Sequence, residues 1–381
     1  MPQERALLVT VQLDPRFSHG GAIWSIEDEA RELQELSLSS GCRVVGDIQA
    51  KRHRPVAGTF LGHGKLEEIA HAAADLQSQV VIFNHELSPA QQRNIENLLD
   101  VKTIDRTQLI LDIFAQHAKS QEGKVQVELA QLRYLLPRLT GKGVMLSRLG
   151  GGIGTRGPGE QKLEMDRRRI RSRIARLNDA LERLQRRREA TRSRRKDTKV
   201  PVAALVGYTN AGKTTLLNRL TGAAGHVQNQ LFTTLDPLAR RMALAAGHTV
   251  IVTDTVGFLH QLPHHLIEAF HATLEEAHDA HLLLHVLDVH HPLAMEHVKA
   301  VEEVLATLNL RAKPTVTVLN KCDLVPERQR LASLERAYHP ACTISAKTGE
   351  GIDRLRSMIT EQLGLVPAQP PVSQAPADAT P

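Results

Sequence analysis

One short stretch constrains this chain of 381 residues more than any other, a glycine-bracketed turn that joins an apolar run to a helix-forming run. Its spacing is G-x-x-x-x-G-K-[ST], and its residues are Gly207, Tyr208, Thr209, Asn210, Ala211, Gly212, Lys213 and Thr214. The glycines let backbone amides converge on phosphate oxygens, while the following helix offers its positive end. Lys213 can reach the β and γ phosphates, and the Thr214 hydroxyl can bind Mg²⁺, which prefers hard oxygen ligands. The pattern predicts a phosphate-binding P-loop, with an ordinary strand-turn-helix as the alternative.

The segments around this turn favour the P-loop. Residues 200–206 form an almost unbroken apolar run, typical of a strand buried on both faces of a parallel sheet. A second, β-branched run, 249–253, leads into a D-x-x-G sequence made of Asp254, Thr255, Val256 and Gly257. In this arrangement Asp254 holds Mg²⁺ through water and the Gly257 amide faces the γ phosphate, so the segment can sense whether that phosphate is present.

A third apolar run, 315–319, ends in an N-K-x-D sequence, the most specific signal in the chain, made of Asn320, Lys321, Cys322 and Asp323. The Asp323 carboxylate can accept both N1–H and the 2-amino group of guanine, whereas adenine offers no such pair. We expect Lys321 to lie along the base and Asn320 to tie this loop to the P-loop. In a later sequence, Ser345, Ala346 and Lys347, we expect the Ala346 amide to point at guanine O6. The four ordered motifs predict binding of GTP and GDP.

A polar segment between the P-loop and the D-x-x-G sequence contains Phe232, Thr233 and Thr234. One threonine hydroxyl of such a switch segment binds Mg²⁺, and resemblance to the F-[AT]-T-L-D-P form of this switch in related GTPases favours Thr234 over Thr233. The predicted catalytic residues are therefore Lys213, Thr234 and Gly257. Asn210 resembles the asparagine of GTPases that use a bound K⁺ for charge stabilisation, and a side chain that only braces the loop is the equal alternative.

The residue after the D-x-x-G sequence is Phe258, at the position where Ras-like GTPases place a water-orienting glutamine. No neighbouring side chain in the sequence replaces that glutamine. We therefore expect the free protein to hydrolyse GTP slowly, with acceleration by a cation, a rearranged switch or a macromolecular partner.

The composition, with 41% apolar and 24% charged residues, is that of a soluble globular protein with room for two or three domains. The three cysteines have no C-x-x-C spacing, as in proteins of a reducing compartment. No signal peptide is recognisable, and no stretch approaches the roughly 18 to 20 apolar residues of a membrane span. We expect a cytoplasmic protein, and peripheral membrane association stays open.

The first 115 residues alternate between predicted strands and helices, which indicates an α/β domain with a mainly parallel sheet. The predicted strands lie within 5–13, 42–48, 80–83 and 101–104, and the predicted helices are 26–39, 65–76 and 88–99. Ser25 and Asp28 look like a capping box that opens the first helix. The sequence from Gly62 to Lys65 resembles half of a phosphate loop, and a helix start is favoured over a second nucleotide site.

From residue 108 the pattern becomes helical, with two apolar stripes that could pair as an antiparallel hairpin. The first stripe is Val125, Leu129, Leu132, Leu136 and Leu139, and the second is Leu163, Ile170, Ile174, Leu177, Leu181 and Leu184. Between them lies a glycine-rich stretch, Gly150 to Glu160. A flexible linker is one interpretation, but an RNA contact that becomes ordered on binding is favoured.

The second helical stretch is strongly basic. Residues 162–199 contain sixteen Lys or Arg against six Asp or Glu, a local net charge of +10, whereas the whole chain carries +6. A solvated helix face is the usual explanation of a charge run, but this excess is larger than solubility requires. Contact with an RNA phosphate backbone explains it better, and the 3% aromatic content argues against a protein that stacks single-stranded bases.

Together these residues resemble the HflX family of GTPases. The P-loop and the sequence from Asp254 to Phe258 would suit many GTPases, whereas Gly150 to Glu160 joined to the arginine-rich helix is specific to this family. The resemblance implies a protein that binds the large (50S) ribosomal subunit and its rRNA, and splits stalled or stressed 70S ribosomes into subunits. An RNA-binding adaptor whose nucleotide only sets conformation is the alternative.

The expected fold is α/β, and we expect a monomer. The predicted parts are an N-terminal α/β domain (1–115), a long basic helical hairpin (116–198) with a glycine-rich tip at about 148–160, a Ras-like P-loop GTPase domain (199–364) and a disordered Pro/Ala-rich tail (365–381). The GTPase domain should contain a mainly parallel sheet flanked by helices. Some family members carry a folded C-terminal domain where this chain has the tail.

Overall fold

The first sheet consists of four parallel strands in the order β2-β1-β3-β4. The computed structural model describes residues 3–14, 16–17, 24–139, 158–197, 200–223, 231–232, 238–244, 247–260 and 276–365, with the backbone alone for 158–163 and 188–197. The strands are β1 (Arg5–Leu13), β2 (Arg43–Arg52), β3 (Val80–Phe83) and β4 (Lys102–Asp105). β2 continues beyond the predicted end at Ile48 because it pairs with β1 as far as Leu13.

Helices cover both faces of this sheet. They are α1 (Ile26–Ser39), α2 (His63–Asp75), α3 (Pro89–Leu99) and α4 (Arg106–His117). Successive residues of β1 and β3 alternate between an apolar cluster shared with α1 and α4 and another shared with α2 and α3. This burial on both faces is the property expected of a parallel sheet. The predicted α/β alternation is confirmed.

Local sequence signals explain where these helices begin. The hydroxyl of Ser25 accepts the backbone N–H of Asp28 at 3.1 Å, as in the predicted capping box. The reciprocal contact differs, because the Asp28 carboxylate accepts a hydrogen bond from the Ser25 hydroxyl itself at 2.7 Å. Gly62 is the N-cap of α2, which confirms the helix start that was favoured for this stretch, and Lys65 pairs with Glu68.

Two further helices, α5 (Gln121–Arg138) and α6 (Pro158–Asp197), pack against each other. The predicted stripe on α6 is confirmed within its described side chains, since Leu177 is buried and Ile170, Ile174, Leu181 and Leu184 are half-buried. On α5 the predicted stripe was only partly right. Leu129 alone among its members is fully buried, because α5 also packs on α4 through a second face formed by Val127, Ala130 and Tyr134. Gly150 to Gly157 of the glycine-rich tip lie outside the described residues.

Within the described residues the second sheet has six strands in the order β10-β9-β8-β5-β7-β6, and of these only β6 runs antiparallel to its neighbour. The strands are β5 (Val202–Gly207), β6 (Leu238–Ala243), β7 (Thr249–Asp254), β8 (Leu282–Asp288), β9 (Thr315–Asn320) and β10 (Ala341–Thr343). The helices described with it are α7 (Lys213–Thr221), α8 (Ala294–Thr307), α9 (Arg328–Ala337) and α10 (Ile352–Gln362). The carboxyl ends of parallel strands share one edge, where α/β sheets bind ligands.

The two sheets share one apolar cluster. It joins Trp24 and Phe114 of the N-terminal part to Tyr208, Phe232 and Phe258 of the second part. The N-terminal sheet is therefore packed directly against the elements that carry the P-loop and the D-x-x-G sequence. Of the predicted tail, all but Leu365 lies outside the described residues. Among the described helices, none combines the length and the apolar character needed to span a membrane.

Candidate nucleotide-binding site

The predicted P-loop connects the carboxyl end of β5 to the first turn of α7. Gly212 has φ +94°, and a Cβ atom there would collide with the Asn320 side-chain amide. At Gly207 a Cβ would collide with the carbonyl oxygen of Val286 on β8. Both glycines are therefore required by the local packing, which brings the loop close to Val286 of β8 and to Asn320.

Lys213 is buried and is held by the loop it follows. Its ammonium group donates hydrogen bonds to the carbonyl oxygens of Gly207, at 3.0 Å, and Tyr208, at 2.8 Å. Burial lowers the pKa of Lys213 to about 8, and the Asp254 carboxylate opposes this shift. A phosphate beside the amine would supply the negative charge that favours its protonated form.

Thr214, a predicted Mg²⁺ ligand, lies beside Asp254, which the sequence predicts to hold the ion through water. The Thr214 hydroxyl lies 2.8 Å from Oδ2 of Asp254, which is fully buried at the end of β7. One neutral and one anionic hard oxygen, side by side and next to Lys213, suit the ligand preference of Mg²⁺. The neighbouring Thr255 donates its hydroxyl to the carbonyl oxygen of Leu205 at 2.7 Å, which holds the end of β7 against β5.

The segment after Asp254 is paired with the P-loop through its backbone. Phe258 donates its N–H to the Gly207 carbonyl at 3.1 Å, and its own carbonyl accepts the N–H of Thr209 at 2.8 Å. Gly257 is packed so closely that a Cβ would lie 2.8 Å from the Cα of Thr209 and 3.1 Å from Nζ of Lys213. The Phe258 ring is 1% exposed within the shared apolar cluster, and it offers no polar atom to a water molecule. Val256 is buried in the same cluster.

Asn320 joins the base-recognition loop to the P-loop, as the sequence predicts. Its side-chain amide donates to the Ala211 carbonyl at 2.8 Å, and its side-chain oxygen accepts the Ala346 backbone N–H at 3.0 Å. Ser345 is fully buried and accepts the N–H of Thr348 at 3.1 Å, which closes the turn that presents Ala346. Three motifs that are far apart in sequence thus meet through one buried side chain.

Lys321 and Asp323 occupy the outer part of this loop. Lys321 has φ +64°, and its ammonium group lies 2.7 Å from Oδ2 of Asp288 at the end of β8. Asp323 begins no regular helix but sits in a short 3₁₀ turn, where its side chain is exposed, as is that of Lys347. An exposed carboxylate beside a fixed lysine is suited to binding the edge of a base.

The switch segment is described only at Leu231 and Phe232. Phe232 packs edge-on against Phe114, with ring centroids 4.5 Å apart, and Leu231 donates its N–H to the Ser39 hydroxyl at 3.2 Å. The Phe232 side chain therefore belongs to the core between the two sheets, so that only its backbone is available to a nucleotide. Thr233 and Thr234 lie outside the described residues, and their predicted roles stay predictions.

Several neighbours of the site were missed from the sequence. Tyr208 was predicted only as a P-loop residue, yet its hydroxyl donates to Glu32 of α1 at 2.9 Å, and Glu32 also accepts from Arg106 at 2.9 Å. Trp24 stacks on His260, with ring centroids 4.5 Å apart. These contacts join residues that are distant in sequence, so no local pattern could have predicted them. The single tryptophan of the chain, Trp24, was the one residue that its rarity could have marked for attention.

The fold and these converging motifs define a P-loop GTPase. Three family models match the chain, described as GTP-binding GTPase N-terminal over residues 27–115, GTP-binding GTPase Middle Region over 117–195 and 50S ribosome-binding GTPase over 202–321. The GTPase HflX of Caldanaerobacter subterraneus subsp. tengcongensis is 49% identical over 361 residues, which cover 95% of this chain and 81% of the relative. The chain belongs to the HflX family of GTPases, and it is a GTP hydrolase.

Two further comparisons agree with this assignment. The GTPase HflX of Escherichia coli (strain K12) is 45% identical over 337 residues, which cover 88% of this chain and 79% of the relative. A solved structure of a complex of SsGBP with GDP matches with a TM-score of 0.53 and 25% identity, over 95% of this chain and 99% of that one. The predicted fold class and family are confirmed.

Proposed function

We propose that this GTPase binds the 50S ribosomal subunit through rRNA and uses GTP-dependent switching to split stalled or stressed 70S ribosomes, acting as a cytoplasmic monomer. The observation that carries the proposal is the exposed arginine-rich surface of α6. Among residues 164–187, whose side chains are described, nine are arginines and four are carboxylates. RNA phosphates are the ligands that such a surface binds, and their affinity falls with added salt.

The ion pairs on α6 leave these arginines available to RNA. Ion pairs between described side chains include Arg169 with Asp166, Arg171 with Glu164, Arg173 with Glu128 and Arg186 with Glu182. All eight side chains are at least 40% exposed, and exposed pairs contribute roughly 1 kcal/mol or less. An arginine that leaves such a carboxylate to bind an RNA phosphate therefore loses little free energy.

The nucleotide roles in this proposal are those predicted from the motifs. P-loop amides and Lys213 hold the phosphates, Asp323 binds guanine, and the Gly257 amide contacts the γ phosphate. Thr214 and Thr234 bind Mg²⁺, and the role of Thr234 rests on the sequence alone. Bound Mg²⁺ would neutralise charge between the β and γ phosphates. Asp254 fixes the Thr214 hydroxyl, and Asn320 holds the P-loop and the Ala346 turn in register.

Hydrolysis by the free protein should be slow, since the buried Phe258 ring cannot orient water. The ribosome is expected to accelerate it, and K⁺ held by Asn210 is a second proposed source of charge stabilisation. Asn210 is exposed with φ +60°, so Asn210→Gly keeps the backbone allowed while removing the side-chain oxygen. Replacing Na⁺ by K⁺ should raise the turnover of the parent but leave that of this variant unchanged.

Light scattering of 70S particles tests the function as a whole. With a non-hydrolysable GTP analogue the protein should lower the scattering as the subunits separate, whereas with GDP it should not. A variant that lacks residues 150–157 should still co-sediment with 50S subunits but fail to split 70S particles. Stable binding to 70S in both nucleotide states, without dissociation, would instead favour the RNA-binding adaptor.

A further inference from the structure

The Tyr208 hydroxyl is a junction between three parts of the molecule. It donates to Oε1 of Glu32 on α1 at 2.9 Å, and it accepts the backbone N–H of His260 at 2.9 Å. His260 lies three residues after the last residue of the D-x-x-G sequence, while Tyr208 itself belongs to the P-loop. One phenol oxygen therefore connects α1, the P-loop and the segment Asp254 to His260, which is called the second switch below.

The surroundings fix this junction rigidly. The Tyr208 ring stacks on His297, with centroids 3.7 Å apart and planes 6° from parallel, and the His260 ring stacks on Trp24. Glu32 is held in turn by Arg106, whose side chain is 8% exposed. Burial, reinforced by the negative charge of Glu32, raises the pKa of Tyr208 well above its ordinary value, so the hydroxyl keeps its proton and donates it.

The same segment lies where a γ phosphate must be recognised. Gly257 is packed against Thr209 and Lys213, and Phe258 is hydrogen-bonded to the backbone of Gly207 and Thr209. A γ phosphate that contacts both the Lys213 amine and the Gly257 amide would have to enter this closely packed space. A shift of Gly257 to admit it would act on His260, three residues further on, and hence on the hydrogen bond from His260 to Tyr208.

From this geometry we infer that Tyr208 is a positioning residue through which α1 holds the second switch in its resting place and lowers the preference for GTP over GDP. This inference rests on the proposed GTP switch and adds a residue pair, Tyr208 and Glu32, that sets its equilibrium. GTP binds the form in which the His260–Tyr208 bond is broken, whereas GDP tolerates the bonded form. Because such coupling is reciprocal, the change from GDP to GTP should also alter how firmly α1 is held through this bond.

The test is the ratio of GTP-analogue to GDP affinity in Tyr208→Phe, which keeps the ring and its stacking but removes the hydroxyl. Loss of one buried hydrogen bond that favours the resting form should raise this ratio roughly five- to tenfold. Tyr338→Phe is the matched control, because its hydroxyl contacts Met295 elsewhere in the GTPase part, and it should leave the ratio unchanged. Hydrogen exchange over residues 26–39 should differ between the two nucleotides in the parent and become equal in Tyr208→Phe.

An unchanged ratio, or equal losses of affinity for both nucleotides together with a lower Tm, would show that Tyr208 has a purely structural role and would overturn the inference. If Tyr208→Phe does not fold, Glu32→Gln provides the second measurement, since its neutral oxygen accepts a weaker bond and should raise the ratio by a smaller factor. A parent protein that binds neither nucleotide would contradict the proposed GTP switch itself, which distinguishes the two failures.

Discussion

The ammonium group of Lys321 lies 2.7 Å from the carboxylate of Asp288, an ion pair in which the lysine side chain is 26% exposed and the aspartate 13%. Lys321 comes from the loop after β9 and Asp288 from the end of β8, so the pair depends on the register between the two strands. It holds the side chain of Lys321, which the sequence predicts to lie along a guanine base.

Asp288→Asn should weaken GTP and GDP binding together by about fivefold, the value of a partly screened ion pair. The amide oxygen can still accept the N–H of His290, which Asp288 accepts at 3.0 Å, so the local turn is kept. Titration with fluorescent nucleotides measures both affinities. Asp353→Asn is the control, since it removes a carboxylate that is 98% exposed beside Arg356 and should change neither affinity. A change in the preference for guanine over adenine would contradict this role for Asp288.

Asp323→Asn should change the identity of the preferred base. It removes the acceptor for the two guanine donors and with it a charge-assisted pair, so GTP affinity should fall about tenfold or more. Xanthine presents a carbonyl where guanine carries its 2-amino group, and an asparagine amide can donate to it, so XTP should gain affinity. Competition binding with GTP, XTP and ATP measures all three. Unchanged GTP affinity in the variant, or equal GTP and ATP affinity in the parent, would refute the assignment of Asp323.

The sequence predicts the parts of this site whose geometry depends on residues close together in the chain. Each motif follows a strand of the expected type, and the order of the motifs places them at one sheet edge. The bond from Tyr208 to Glu32 joins residues 176 apart in sequence, and its geometry depends on how the two sheets pack. The same reason explains the misassigned face of α5, whose burial is shared between α4 and α6. Contacts between elements that are distant in sequence leave no periodic pattern in the sequence of either element.

Glu29 should make stability depend on pH. Burial raises the pKa of Glu29 from 4.5 to about 7. The positive charge of Arg106 and the hydrogen bond from Asn84 oppose this shift, whereas the negative charge of Glu32 adds to it. Between these two values the folded state holds a proton that the unfolded state has lost, so the free energy of unfolding should fall as pH rises, by about 1.4 kcal/mol per unit at most. The stability that Glu29 contributes through this bound proton is fully present below pH 4.5 and is lost above pH 7.

Glu29→Gln isolates this effect because its amide oxygen can still accept the Asn84 bond, which Glu29 accepts at 2.7 Å. The variant should be more stable than the parent above pH 7, by up to about 3 kcal/mol, and the difference should vanish near pH 4.5. Urea unfolding at pH 5, 6, 7 and 8 measures it. Parallel stability curves for variant and parent across this range would show that Glu29 has no such shift.

The α6 arginines should determine the salt dependence of ribosome binding. Changing Arg186, Arg187 and Arg188 to glutamine removes three cations, and each lost phosphate contact should reduce the log-log slope of affinity against salt by about one unit. Affinity should fall at low salt, while GTP binding persists because the P-loop is untouched. Filter binding to 50S subunits across a salt series measures the slope.

The matched control changes three exposed arginines of the GTPase part to glutamine, namely Arg311, Arg330 and Arg336, and it has the same change of net charge. If both triple variants lose the same slope, the effect is one of overall charge, and α6 is not the RNA-binding surface.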